Sequence, residues 1–259
     1  MIKPNLRITI LQIPLVWESP LENTKTIDDR FKTFSDNTDI LLLPEMFSSG
    51  FTMSPERVAE KMSGETVKWM IRFANKHNTA IGGSIVIKEK KTFYNRFIFV
   101  TPEGDIHTYN KKHTFTLAGE HKVYKEGIEN GIIDYKGWKI CLRICYDLRF
   151  PVWNRNIQDY DLLIFVANWP KPRIQAWDTL LRARAIENMA YVAGVNIIGN
   201  DPNGSEYPGH SAVYDVLGKE LAHFGNQEKI GTIDLDHQEL QLRRKQLRFL
   251  EDQDSFEMY

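Results

Sequence analysis

The chain is poor in cysteine: Cys141 and Cys145 are the only two in 259 residues. Four residues apart on one strand, their Cα atoms would be about 13 Å apart. A disulfide requires a Cα separation below roughly 7 Å, so we expect both thiols to be free. This excludes a small secreted scaffold held together by disulfides. Because the N-terminal stretch MIKPNLRITILQIP also lacks a signal-peptide core and cleavage site, we expect a cytoplasmic protein.

Long apolar runs and an excess charge of one sign are lacking as well. No apolar run approaches the roughly 20 residues that a membrane span requires, so we expect no membrane association. The 33 Lys and Arg residues nearly balance the 34 Asp and Glu residues, which gives no electrostatic argument for nucleic-acid binding. Repeats and Pro/Gly/Ser linkers are absent too. We therefore expect one domain over residues 1–259, with residues 238–259 as a charged C-terminal extension.

What is present is a regular alternation of strand-like and helix-like patterns. Short β-branched and apolar runs predict strands, and apolar residues at helical spacing predict helices. This alternation, with added hairpins, favours an α/β architecture, and the number of strands favours two sheets. The predicted strands span 6–13, 39–45, 79–88, 92–101, 106–110, 161–167, 191–199, 211–216, 218–224 and 231–235, and the predicted helices span 21–34, 66–77, 152–158 and 175–190. Residues 132–146 are predicted to contain a short strand, a turn at Lys136-Gly137 and the central strand.

Residues 139–151, KICLRICYDLRFP, combine a buried strand with an abrupt polar turn. Cys145 stands at the C-terminal end of this strand, where α/β proteins usually place their chemistry. One interpretation is that Cys145 is a nucleophile. The other is that it is packed as a small hydrophobic residue, which is the commoner use of cysteine, and this stretch alone does not decide between them.

Two further polar residues also follow predicted strands. Glu45 ends the apolar run LLLPEMF, and Lys111 follows a hairpin strand in YNKKHTF. Each alone is explained by a solvated strand end or a surface lysine. With Cys145 they form a chemical set: the carboxylate can take the thiol proton and pass it to a leaving amine, and the ammonium can stabilise an oxyanion. This set suits attack on an unreactive carbonyl or nitrile carbon.

These three motifs, in this order, resemble those of the nitrilase superfamily of carbon–nitrogen hydrolases, whose mark is a Glu–Lys–Cys triad. The matching stretches are LLLPEMFSSGF, YNKKHTF and CYDLRFP, and VANWP and RARAIEN extend the likeness over nearly the whole chain. The sequence is similar to the bacterial ω-amidase branch in particular. The resemblance implies a four-layer α-β-β-α sandwich that forms a homodimer through its outer helices.

The resemblance also assigns roles within the motifs. The family pattern Lys-x-His-x-Phe fits Lys111 and does not fit Lys112. A second family glutamate near the lysine matches Glu120 in LAGEHKVY, with Glu126 as the weaker alternative. The backbone N–H of Tyr146 is expected to hold the oxyanion together with Lys111.

Four side chains are candidate substrate contacts: Phe47, Phe115, Arg149 and Trp169. Arg149 can bind a carboxylate through two hydrogen bonds, or it can support the turn after Cys145. Aromatic residues in such places are more often part of the core. The seven scattered histidines form no recognisable metal motif, so we expect no metal and no cofactor.

The resemblance implies hydrolysis of the terminal carboxamide of a small α-keto dicarboxylic acid monoamide, such as 2-oxoglutaramate or 2-oxosuccinamate, through a thioester. Other hydrolytic reactions remain as alternatives: nitrile, N-carbamoyl amine or deaminated-peptide hydrolysis. A catalytically silent scaffold and an ammonia-delivering partner subunit are alternatives of other classes. The filled triad argues against the scaffold, and no partner-docking segment is visible for the subunit.

Overall fold

The fold is built on two six-stranded sheets, seen in a computed structural model that describes residues 3–34 and 36–257. The strands are β1 (Asn5–Gln12), β2 (Ile40–Leu42), β3 (Ala80–Glu89), β4 (Thr92–Val100), β5 (Ile106–Asn110), β6 (Ile132–Tyr135), β7 (Trp138–Ile144), β8 (Leu162–Ala167), β9 (Tyr191–Asn196), β10 (Ile198–Asn200), β11 (Glu206–Pro208), β12 (Ala212–Tyr214), β13 (Glu220–His223) and β14 (Lys229–Asp236). The helices are α1 (Pro20–Lys32), α2 (Glu65–His77), α3 (Pro151–Asn154), α4 (Ile174–Asn188) and α5 (His237–Leu247).

Each large sheet has a parallel centre and antiparallel edges. The first has the order β14-β1-β2-β3-β4-β5 and the second the order β13-β12-β9-β8-β7-β6. Strands β1, β2 and β3 are parallel, as are β7, β8 and β9. The carboxyl ends of the parallel strands therefore lie at one edge of each sheet, which is where Glu45 and Cys145 follow β2 and β7.

The two sheets pack face to face because their strands are apolar on both sides. On β2, Ile40 and Leu42 face the core between the sheets, whereas Leu41 faces the opposite side. On β8, Leu162 and Ile164 belong to the same inner core. This period of two is the geometry of a strand covered on both faces.

Helices cover the two outer faces. Ile27 of α1 and Met70 of α2 pack on the first sheet, and Trp177 and Leu181 of α4 pack on the second. The layers run helix, sheet, sheet, helix, so the predicted four-layer α-β-β-α sandwich is confirmed. Among the described residues, no helix has both the length and the apolar character needed to cross a membrane.

Several predicted elements differ in extent from the structure. The helix predicted over 152–158 is only α3, Pro151–Asn154, and the strand predicted over 191–199 is divided into β9 and β10. The strand predicted over 39–45 is reduced to β2, because Pro44 cannot donate a ladder hydrogen bond and Met46 has a φ of +45° that turns the chain away. Between residues 200 and 210, where no strand is predicted, the structure contains β11, which pairs with β10.

The C-terminal region is attached to the body of the fold. Leu240 of α5 is fully buried in the inner core. Arg244 donates hydrogen bonds to the carbonyl oxygens of Met189 (2.8 Å) and Tyr160 (2.6 Å). The division into one domain with an extension at 238–259 stays a prediction, and residues 258 and 259 lie outside the described residues.

Candidate active site

Cys145 is presented by a sharp turn between β7 and the 3-10 turn Cys145–Arg149. Its φ is +44°, a conformation that costs a non-glycine residue roughly 1–3 kcal/mol and clusters at functional sites. Asp147 stabilises the turn, since its carboxylate accepts hydrogen bonds from the N–H groups of Ile144 (3.0 Å) and His113 (2.9 Å). The strand end is thus held in a strained shape that exposes part of Cys145.

Glu45, Lys111 and Glu120 form a buried ionic cluster beside it. The Lys111 Nζ donates to Glu45 Oε1 at 2.9 Å and to both carboxylate oxygens of Glu120 at 3.0 and 2.9 Å. All three side chains are at most 1% exposed. Two carboxylates therefore share one ammonium group, and the cluster carries a net charge of -1 when all are ionised.

This charge balance sets the protonation of the site. Burial disfavours the charged form of Lys111, but Glu120 and Glu45 outweigh this and raise its pKa, so the ammonium stays charged. Burial, together with the nearby Glu45, raises the pKa of the Cys145 thiol well above its usual range, although Lys111 opposes the shift. Burial likewise raises the pKa of Glu120. Cys145 is consequently a protonated thiol at rest and needs a base before it can attack.

Two asparagines hold the Glu45 carboxylate, and the sequence analysis did not single them out. Asn95 Nδ2 donates to Glu45 Oε1 at 2.8 Å, and the backbone N–H of Asn168 donates to Oε2 at 2.8 Å. Asn168 Nδ2 also donates to the Glu45 carbonyl oxygen at 2.7 Å. Asn168 belongs to the motif VANWP at the carboxyl end of β8, so the sequence could have indicated it. Asn95 lies inside β4 and belongs to no motif, so the sequence could not.

A cavity of about 220 Å³ opens onto Cys145 and Lys111. The structure brings four more predicted residues to its wall: Tyr146, Phe115, Arg149 and Trp169. The Tyr146 N–H lies in the first turn of the 3-10 segment, where N–H groups have no partner within the turn. The cavity therefore joins the Cys145 thiol and the Lys111 cation, and Tyr146, whose N–H is the predicted oxyanion donor, lies on its wall.

The structure does not bring Phe47 to this cavity. Its side chain is fully buried on the outer face of the first sheet, in contact with Trp69 at a ring-centroid distance of 5.9 Å. The positive φ of Met46 directs the chain away from the site immediately after Glu45. Phe47 is a core residue in this structure.

The two alternatives that the motifs left near Lys111 occupy different surroundings. Lys112 is partly exposed, and its nearest carboxylate is the exposed Glu126 at 3.8 Å. Lys111 and Glu120 are the buried members of the two pairs, and Glu120 also accepts a hydrogen bond from the Phe115 N–H. The geometry thus favours Lys111 and Glu120 over their neighbours.

Arg173 is a cavity residue that the sequence analysis missed. It lies in a 3-10 turn, Lys171–Arg173, that leads from the end of β8 into α4. The indole N–H of Trp169 donates to the Arg173 carbonyl oxygen at 2.8 Å, which fixes the turn against the cavity wall. No motif marks this arginine, because its position depends on how the chain folds back after β8.

Away from Cys145, the fold places Asp178, His210 and His223 together, with one potential ligand atom from each within 4.8 Å of the others. The hydrogen bonds explain this group without a metal. His223 Nδ1 accepts from the Gly225 N–H at 3.1 Å, so its own proton is on Nε2, the nitrogen that faces Asp178. A protonated nitrogen cannot ligate a metal, and the group forms a polar contact between α4 and β13.

Comparisons with known proteins agree with this geometry. The carbon-nitrogen hydrolase family model matches residues 7–245. An omega-amidase, YafV, from Escherichia coli K12 is 46% identical over 220 residues, which cover 85% of each chain. A 2-oxoglutaramate amidase from Bacillus subtilis is 35% identical over 90% of this chain and 91% of its own.

Solved structures give the same result. XC1258 from Xanthomonas campestris, a CN-hydrolase superfamily protein with an arsenic adduct in its active site, is 38% identical and superposes with a TM-score of 0.95, covering 98% of this chain and 99% of its own. Nit3 from Saccharomyces cerevisiae, a nitrilase superfamily member, shares the fold at a TM-score of 0.85 with 24% identity over 95% of both chains. The chain belongs to the carbon–nitrogen hydrolase family of the nitrilase superfamily, as its three motifs predict.

Proposed function

We propose that this chain is a cysteine amidase that hydrolyses the terminal carboxamide of a small α-keto dicarboxylic acid monoamide, with 2-oxoglutaramate as the first candidate and 2-oxosuccinamate as the second. The observation that carries the proposal is the ammonium of Lys111 bridging Glu45 and Glu120 beside Cys145. The substrate class is supported by the relatives named omega-amidase and 2-oxoglutaramate amidase.

Acylation begins with proton transfer. Glu45 takes the proton of the Cys145 thiol, and the thiolate attacks the carboxamide carbon. Lys111 Nζ and the Tyr146 N–H then stabilise the oxyanion. When the tetrahedral intermediate collapses, Glu45 returns the proton to the departing nitrogen, ammonia leaves, and a thioester remains on Cys145.

Deacylation uses the same base. Glu45 takes a proton from a water molecule, whose oxygen bonds to the thioester carbonyl carbon. When this intermediate collapses, the C–S bond breaks, Glu45 returns the proton to the Cys145 sulfur, and the acid is released. Glu120 acts through Lys111: it keeps the ammonium charged and directs it, because Lys111 donates to both of its oxygens. Asn95 and Asn168 keep the Glu45 carboxylate in place through both steps.

The cavity is suited to a small acid. Its volume of about 220 Å³ is sufficient for a small carboxylic acid. The Arg149 guanidinium lies over the Trp169 ring at 5.0 Å from its centroid, which holds a cation ready for a carboxylate. Phe115 forms another part of the wall.

Ammonia release from a substrate panel tests the proposal. The panel contains 2-oxoglutaramate, 2-oxosuccinamate, glutamine, asparagine, a small nitrile and an N-carbamoyl amine. We expect the two keto-acid amides to be turned over with the highest kcat/KM. If the nitrile or the carbamoyl amine is turned over fastest, the proposed substrate class is wrong, whereas the assignment of Cys145 as the nucleophile stands. Failure of every compound, together with a thiol inert to iodoacetamide, would favour the silent scaffold.

We also propose a single-domain protein that forms a homodimer and works in the cytoplasm. The dimer is supported by apolar side chains on the outer surface near α4, where Ile186 and Leu217 are 49% and 46% exposed. The reducing compartment suits a free nucleophilic thiol. Light scattering of the wild type and of Ile186→Glu tests the dimer: we expect a dimer for the first and a monomer for the second, and a monomeric wild type would refute it.

A further inference from the structure

Two arginine side chains line the same small cavity without a carboxylate partner. Arg149 lies over Trp169 and Arg173 lies over Phe115, each with its guanidinium carbon 5.0 Å from the ring centroid. Among residues 3–34 and 36–257, neither guanidinium forms an ion pair or donates a hydrogen bond to another side chain or to the backbone. Two like charges in one cavity repel each other, and an anion bound between them would offset this repulsion.

The acidic residue on the cavity wall does not supply that anion. Asp201 lines the cavity, but its carboxylate is occupied by its own loop: it accepts hydrogen bonds from the N–H groups of Asn203 (2.8 Å) and Ser205 (3.0 Å) and from the Tyr207 hydroxyl (2.9 Å). The cation of Lys111 is already neutralised by two carboxylates. The cations of the cavity wall that have no carboxylate partner are therefore Arg149 and Arg173.

We propose that Arg173 is a specificity-determining residue that, together with Arg149, binds the substrate carboxylate farthest from the scissile amide. This inference rests on the proposed function and extends it. The guanidinium group matches a carboxylate with two parallel hydrogen bonds, and its aromatic support limits the side-chain entropy lost on binding. The two arginines select an acid amide over a neutral amide of the same length.

Substitution of Arg173 tests substrate binding without disturbing the nucleophile, which substitution of Arg149 does not. Arg149 closes the 3-10 turn that begins at Cys145, so its substitution can move the nucleophile. Arg173 belongs to a different turn, which also contains Lys171. Lys171 is exposed, does not line the cavity, and pairs with Glu206 at 2.7 Å. Lys171→Met is therefore a matched control that removes one positive charge from the same turn.

The first test compares anionic and neutral amides. Ammonia release is measured from 2-oxoglutaramate, glutaramate and pentanamide with the wild type, Arg173→Met, Arg173→Lys and Lys171→Met. We expect Arg173→Met to lower kcat/KM for the two acids by roughly 10- to 100-fold, mainly through KM, since one charge-assisted pair is lost. Pentanamide turnover should not change, Arg173→Lys should recover part of the loss, and Lys171→Met should match the wild type.

The second test does not depend on turnover. Cys145 is alkylated with iodoacetate, an anion, and with iodoacetamide, its neutral counterpart, and modification is located by peptide mass. We expect Arg173→Met to reduce the ratio of the iodoacetate rate to the iodoacetamide rate, with no such change in Lys171→Met. If the wild type releases no ammonia from the keto-acid amides, the proposed function fails while this ratio still reports on Arg173. An unchanged ratio, or equal losses for acid and neutral amides, would overturn the role of Arg173.

Discussion

A charged cluster lies at each end of β2: the one before the strand has an excess of cations, and the one after it has an excess of anions. Before the strand, one carboxylate faces two ammonium groups: Asp39 accepts hydrogen bonds from Lys3 and Lys136, each at 2.6 Å. Both lysines are more than one-third exposed. Burial raises the pKa of Asp39, but the bonds from Lys136 and Lys3 outweigh it and bring the pKa below its ordinary value.

After the strand, two carboxylates face one ammonium group. Glu45 and Glu120 share Lys111, and all three are buried. An excess cation that is in contact with water costs little folding free energy. An excess anion in the interior instead raises the pKa of a neighbouring acidic group and so keeps that group protonated. The cluster around Asp39 therefore stabilises the contact between its loops. The cluster around Lys111 favours the protonated thiol of Cys145, and its buried excess charge lowers the stability of the fold. The comparison indicates that charge balance and burial, more than the presence of ion pairs, distinguish a chemical site from a structural one.

Lys111→Met breaks the second cluster most severely. It leaves two buried carboxylates without their shared cation, and we expect a loss of roughly 3–5 kcal/mol in unfolding free energy together with the loss of turnover. Denaturant unfolding and ammonia release measure the two effects. The double variant with Glu120→Gln should regain part of the stability and none of the activity; unchanged stability in the single variant would contradict the cluster's ionic character.

Glu45→Gln removes both the general base and its negative charge, and two measurements distinguish the two effects. We expect turnover to fall by roughly 10²- to 10⁴-fold, the usual value of a positioned proton-transfer group. Because the Glu45 anion raises the pKa of Cys145, its removal should lower the pKa of that thiol. The pH dependence of iodoacetamide alkylation measures this shift, and Glu126→Gln, a change at an exposed carboxylate, is the control. A thiol pKa that rises in Glu45→Gln would show that the charge argument is incorrect.

Asp39→Asn has the smallest expected effect and should act on stability alone. We expect a loss of about 1–3 kcal/mol in unfolding free energy, typical of a broken charged hydrogen bond, with kcat/KM unchanged. Since the folded pKa of Asp39 lies below the unfolded value of about 3.9, its contribution is complete above that pH and is lost as the pH falls through the folded pKa. The stability difference from the wild type should therefore shrink in acid, and a difference that persists at low pH would refute the linkage.

Much of this could be predicted from the sequence, because strand ends have a regular geometry. The carboxyl ends of β2 and β7 each lie at the edge of a parallel sheet centre, and this places Glu45 and Cys145 where side chains can meet. The apolar runs also predicted most strands, since burial on both faces leaves a continuous signal.

The rest depended on local backbone shape. Phe47 follows Glu45 by two residues, yet the positive φ of Met46 directs it into the core. Asn168 and Arg173 reach the site through the segment after β8. Asn168 was marked only by its place in VANWP, and Arg173 did not stand out because arginine is an ordinary residue of such exposed segments.

The most direct test of the central claim compares two cysteine substitutions. Ammonia release from 2-oxoglutaramate is measured for Cys145→Ala and for Cys141→Ala, which removes a buried thiol whose pKa burial raises to about 11. We expect Cys145→Ala to be inactive and Cys141→Ala to retain turnover, because only Cys145 lines the cavity beside Lys111. Turnover retained by Cys145→Ala would contradict the assignment of the nucleophile and the mechanism built on it.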